Sequence, residues 1–166
     1  MNAIGDPAEL LARKDRPAGE DPATYTLRRT GRKPVRFEGW QLIEATGADR
    51  AKSVWHELNV YRTVDNTFVI ELTTRRRLPE EQDKACVKSF PDLAGAAVWL
   101  ENYRPADDVP VPPGLTADAA LPWAVLQAVQ LRQCISRVVL DYQTLLSEVF
   151  AALDLTDPPD DHAAPG

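Results

Sequence analysis

Residues 54–77, VWHELNVYRTVDNTFVIELTTRRR, decide how this chain folds. Two runs rich in Val, Ile, Thr, Tyr, Phe and Trp, side chains that suit a pleated half-buried surface, flank Asp65-Asn66. Short Asx side chains bond their own backbone and tolerate the left-handed region, so the pair marks a hairpin turn. A two-residue turn would set Val64 opposite Thr67, Tyr61 opposite Ile70 and Val60 opposite Glu71. That register mixes apolar and charged side chains on both faces, which a half-buried sheet does not tolerate. A loop of Asp65-Asn66-Thr67 instead pairs Val64 with Phe68, Arg62 with Ile70, Val60 with Leu72 and Leu58 with Thr74, giving one nearly apolar face. On the opposite face Thr63 meets Val69, Tyr61 meets Glu71, Asn59 meets Thr73, Glu57 meets Arg75 and Trp55 meets Arg77. The last two are an opposite-charge pair and a cation–π pair, each worth up to about 1 kcal/mol. This second register is the expectation, although its third loop position favours a positive φ that Thr67 resists.

Working outward, TYTLRRT (Thr24–Thr30) alternates as a first strand and Gly31-Arg32-Lys33-Pro34 forms a turn with a basic tip. Val35–Thr46 is a second strand, and the inward parity changes from Val35 and Phe37 to Trp40 and Leu42 about Gly39, which predicts a bulge or sharp bend there. Beyond the hairpin, Cys86–Phe90 can add a short edge strand, with Lys88 as edge protection. Ser89 is a candidate cap for a helix that places Leu93, Ala96, Ala97, Leu100 and Tyr103 at helical spacing. RPADDVPVPPG (104–114) carries four prolines and no periodicity, so it reads as a semi-extended linker.

A long helix follows, beginning within 118–123 with Asp118 as a candidate cap and running to about Leu155, roughly 50 Å. Leu131, Ile135, Val138, Tyr142, Leu145 and Val149 alternate by four and three along it, a seam of coiled-coil type that would mediate self-association or hold a partner's helix. The expected organisation is a disordered arm (1–23), an α+β unit of four to five antiparallel strands with one packed helix (24–104), a Pro-rich linker (105–117), the long helix (118–155) and a disordered acidic tail (156–166).

Composition narrows the function classes. The net charge is −6, but residues 24–104 hold 14 Lys and Arg against 11 Asp and Glu, whereas residues 105–166 hold 2 against 9. A mildly basic sheet thus precedes an acidic end, and bulk charge alone does not make the chain a non-specific DNA binder. No cationic start leads into an apolar run, and no apolar stretch approaches membrane-span length, so a cytoplasmic protein without a membrane role is expected. Cys86 and Cys134 lack metal spacing and are expected to be reduced. Two His and two Cys scattered along the chain do not suit zinc, and no glycine-rich nucleotide cradle is present, so no metal or cofactor is expected. His56 with Cys86 is the single nucleophile–base combination on offer, and it lacks an evident third orienting residue.

The outward hairpin face holds more chemistry. Trp55, Tyr61, Arg75 and Arg77, with Arg28, Arg32, Lys33 and Arg36 from the first two strands, mix aromatic platforms with cations. Single-stranded nucleic acid is bound by that combination, bases stacking on rings while cations track phosphates. Four antiparallel strands followed by a helix, over about residues 24–103, is similar in element order to the Whirly-type single-strand binders, and the resemblance implies the same use of the sheet face. Glu57 and Glu71 on that face repel phosphate. The leading expectation is therefore a non-enzymatic interaction protein, assembled with itself or a protein partner through the long helix and presenting the sheet face to a partner. Single-strand binding by that face is the alternative.

Overall fold

The computed structural model describes residues 20–78, 80–113, 115 and 121–155. Strands β1 (Ala23–Arg29), β2 (Arg32–Thr46), β3 (Val54–Thr63), β4 (Phe68–Arg76) and β5 (Lys84–Phe90) precede helix α1 (Leu93–Glu101), a 3-10 turn (Pro105–Asp108) and helix α2 (Leu121–Ala152). The sheet is an antiparallel meander in the order β1-β2-β3-β4-β5, so the fold is α+β as expected. Expectations that fall on residues 1–19, on Asp118 and on residues 156–166 lie outside the described residues.

The central hairpin keeps the predicted faces but not the predicted pairs. Leu58 lies opposite Leu72, Val60 opposite Ile70 and Arg62 opposite Phe68, two residues away from the expected register. A slip of two preserves side-chain parity, so the apolar face survives intact. The cause is the turn: Asn66 N–H donates to Thr63 C=O at 3.0 Å and Thr63 N–H to Thr67 C=O at 2.8 Å. The left-handed position thereby falls on Asn66, with φ 65°, and not on Thr67. Asn tolerates that region and a β-branched residue does not. Arg62 Nε then donates to Asn66 Oδ1 at 2.7 Å, which fixes the loop further.

At the β1–β2 turn Arg29 pairs with Arg32 around Thr30-Gly31, and Gly31 takes φ 70°. Gly39 does not form the expected bulge, because β2 pairs through it to Ala23 on one side and Thr63 on the other. Its constraint is close approach: a Cβ there would stand 2.1 Å from the Arg62 carbonyl oxygen. The parity change comes instead between Gln41 and Ile43, where the β2–β3 register shifts.

The sheet curls, and its two faces bury different things. On the even-numbered face Leu58, Val60, Ile70 and Leu72 pack beneath Ala96 and Leu100 of α1 and Tyr142, Leu145, Leu146 and Val149 of α2. On the odd-numbered face Leu27, Tyr61, Val69 and Val87 form a second cluster with Tyr25, Val35 and Phe37. Every strand contributes to this second cluster, so it lines the inside of the curl. Thr30 N–H donates to Ala85 C=O at 2.9 Å, and Ala85 N–H to Thr30 Oγ1 at 2.8 Å, tying β1 back to β5.

Two local expectations are corrected. Asp92, not Ser89, caps α1, accepting from Gly95 N–H at 2.7 Å, because Ser89 and Phe90 are still paired in β5. The segment after α1, expected as a semi-extended linker, opens with the 3-10 turn, in which Pro105 and Asp108 are buried.

Candidate functional site

The structure places polar and apolar chemistry in three regions: a buried carboxylate under the 3-10 turn, the first half of α2, and the basic end of the sheet.

Asp108 is 1% exposed. His56 Nε2 lies 2.9 Å from its Oδ2, Thr74 Oγ1 donates to it at 3.1 Å, and the Tyr103 hydroxyl donates at 2.5 Å. Lys84 Nζ donates to Oδ1 at 2.9 Å, and Arg76 donates to the Asp108 backbone carbonyl at 3.0 Å. Burial alone would raise the pKa of this carboxyl, but the bonds from His56, Tyr103 and Lys84 and the Lys84 charge outweigh it and hold the group well below the usual carboxylate range. Burial, then the bond to Asp108, push the Tyr103 hydroxyl upward. His56 and Thr74 face each other across β3 and β4, so the sheet sets half of the ring and the 3-10 turn closes it. Asp108 falls within the stretch expected as a linker, where no local pattern distinguishes it from Asp107. A signal existed: His56 sits on the inward parity, and a buried imidazole needs a buried partner. That partner is Asp108, whereas Cys86 lies opposite Leu72 on β5. With every oxygen of the carboxylate engaged and His56 only 3% exposed, the cluster acts as a fastener that holds the turn and α1 to the sheet.

Helix α2 divides in two. Val138, Tyr142, Leu145, Leu146 and Val149 are its buried residues, and no residue before Val138 is buried. The Tyr142 hydroxyl donates to Leu100 C=O at 2.8 Å, joining the two helices. Of the seam expected to mediate assembly, Val138, Tyr142, Leu145 and Val149 therefore pack on the chain's own sheet and helix, and Leu131 and Ile135 flank Val54, Val109 and Val138 in a third cluster. Those side chains are therefore covered within the chain, and the seam is not left free for a partner's helix. What stays uncovered is a different set: Leu121 (80% exposed), Trp123, Val125 (56%), Leu126, Val129 (48%) and Leu140.

No family model, no curated protein and no solved structure matches this chain.

The expected outward sheet face is, at its centre, the inside of the curl. Tyr61 is 4% exposed, with ring centroids 4.8 Å from Tyr25 and 5.5 Å from Phe37. Burial, then the neighbouring Glu71 carboxylate, push its hydroxyl upward. The ring is therefore filled core and no stacking platform. Trp55 is half-buried, its Nε1–H directed at Glu57 at 3.4 Å. Arg75 is held by Glu57 at 2.8 Å and Asp83 at 2.7 Å, and Arg77 donates to Asp49 C=O at 2.8 Å. Trp55 sits opposite Arg75, not Arg77, while the Glu57–Arg75 attraction survives on the diagonal. Arg28, Arg32, Lys33 and Arg36 are exposed on the β1–β2 hairpin. Among the described residues no group of three or more His, Cys, Asp or Glu could hold a metal ion, and no helix is long and apolar enough to cross a membrane.

Proposed function

We propose that this chain is a cytoplasmic, non-enzymatic interaction protein that pairs with a second copy of itself through the first half of α2, leaving the basic sheet end on display. The observation that carries this reading is the bare stretch from Leu121 to Val129, five of whose nine side chains are large, apolar and about half exposed or more. It extends roughly 12 Å along the helix, at 1.5 Å per residue. Exposed apolar side chains massed in this way mark a docking surface.

Charge favours a second copy as the occupant. Residues 121–131, LPWAVLQAVQL, contain no charged side chain, and Gln127 and Gln130 supply both donors and acceptors. A twofold interface sets a patch against itself, so a neutral patch meets its copy without like-charge repulsion. Trp123 supplies the aromatic anchor that such interfaces concentrate their energy on.

Sedimentation of the full chain tests the proposal. The native protein is expected to sediment as a dimer, and Val125→Asp/Val129→Asp as a folded monomer, since both sites are exposed. A native monomer at high concentration, or a dimer that survives the double substitution, would sink it.

A further inference from the structure

We infer that the groove between the β1–β2 turn, β5 and α1 binds a nucleotide unit, its phosphate held by Arg29, Arg32 and Lys88 and its base set against Trp99. The groove encloses about 400–500 Å³ (460 Å³), within the range of small-ligand sites, and none of the residues lining it is acidic. Residues 28–36, RRTGRKPVR, carry five cations and no carboxylate in nine positions, and Arg29 and Arg32 among them line the groove. In a chain of net charge −6 this is a concentrated field of the opposite sign.

These cations are not consumed internally. Among the described residues the Lys and Arg salt bridges go to Lys52, Arg75, Lys84 and Arg104, and none to Arg29, Arg32 or Lys88. Arg29 Nε is steered by Lys33 C=O at 2.7 Å, which leaves its terminal nitrogens for a ligand. Lys84 is shared, donating to buried Asp108 while its side chain remains 46% exposed. Lys88 Nζ lies 5.7 Å from the Trp99 ring centroid and 5.6 Å from that of Phe90. Cations around a partly exposed indole are the combination that grips phosphate and base together. A strictly inorganic anion would have no use for Trp99, and an acidic peptide would have none for its stacking face. The groove lies on the helix side of β5 and shares Arg32 alone with the set on which the sequence placed nucleic-acid binding.

The chemistry is shared by a free mononucleotide and by a single strand, and titration separates them. Binding of a fluorescent oligothymidylate to the full chain is followed by anisotropy at low ionic strength, with adenosine monophosphate as competitor. The oligonucleotide is expected to bind, and Arg32→Ala/Lys88→Ala to weaken it about tenfold or more while lowering the slope of log affinity against log salt by about 0.7, the one single-strand phosphate contact of the site. Displacement by the monophosphate at similar concentration assigns the free nucleotide; binding of the longer ligand alone assigns the strand. Arg137→Ala, on α2 and outside the groove, leaves binding unchanged. No binding of either probe, or an equal loss with Arg137→Ala, overturns the inference. The Val125→Asp/Val129→Asp chain retains binding, so assembly and ligand uptake fail independently.

Discussion

At the scale of single residues, Asp108 is the position on which the most depends. It is buried, ionised and surrounded by donors from β3, β4, β5 and the segment that follows α1. Asp108→Asn keeps the shape and removes the charge, leaving Lys84 and His56 without their anion. Breaking a buried, hydrogen-bonded pair in this way costs about 3 kcal/mol. The sign of the pH dependence follows from the depressed pKa. The carboxyl ionises more readily in the fold than in the unfolded chain, where it titrates near 3.9, at about the ordinary value. Its stabilising contribution is therefore complete above about pH 5 and is lost as the pH falls through that ordinary value toward the folded one. Urea midpoints at neutral pH and in the acid range check both points: Asp108→Asn is less stable at pH 7 and shows a shallower loss on acidification. The sequence made half of this network visible. His56 on the inward parity announces a buried polar group, but its partner lies 52 residues away beyond three prolines, and no local periodicity reports that a proline-rich segment folds back.

At the scale of elements, helix α2 carries two sets of apolar side chains, one buried and one exposed. Leu145 and Val149 are 3% and 1% exposed, beneath the chain's own sheet. Leu145→Ala leaves a cavity there and is expected to cost about 3 kcal/mol in thermal or urea unfolding. Val129→Ser, at a position half open to water, is expected to change monomer stability by less than about 0.5 kcal/mol. The heptad-like pattern that the sequence displays is real, but the pattern of a helix packing on a sheet and that of a helix packing on another helix are nearly the same. Periodicity located the helix and its apolar side; it did not say whose surface would cover it. The β3–β4 hairpin teaches a related lesson. Its faces were legible because parity has a period of two, while its pairing turned on which residue of Val64-Asp65-Asn66-Thr67 would accept a positive φ. Asn66 was the better candidate from the outset.

At the scale of the whole molecule, the curl of the sheet governs what is inside and what is out. Strand existence, strand order and the α+β class follow from alternating side chains and turn residues. The curl does not, because it depends on the sum of twist over five strands and on the bonds between Thr30 and Ala85. It converts Tyr61 from an exposed ring into core and moves the usable cations to the β1–β2 turn and β5. Thr30→Val removes the hydroxyl that Ala85 N–H donates to, leaving that donor to water. Global stability is expected to fall by about 1 kcal/mol. Amide exchange at Ala85 and in β1 is expected to quicken while β3 and β4 stay protected, a local opening that exchange mass spectrometry resolves.

The contact of β1 with β5 has a further consequence for how copies of this protein accumulate. A flat meander ends in two open borders, each an unpaired row of amides that can recruit another chain and grow without limit. Here the outermost strands lean on one another at Thr30 and Ala85, so neither border offers a long, straight template. Growth by strand addition is discouraged. Under the pairing proposed for α2, a twofold contact would terminate with the second subunit, so crowding this chain is expected to favour discrete pairs over fibres.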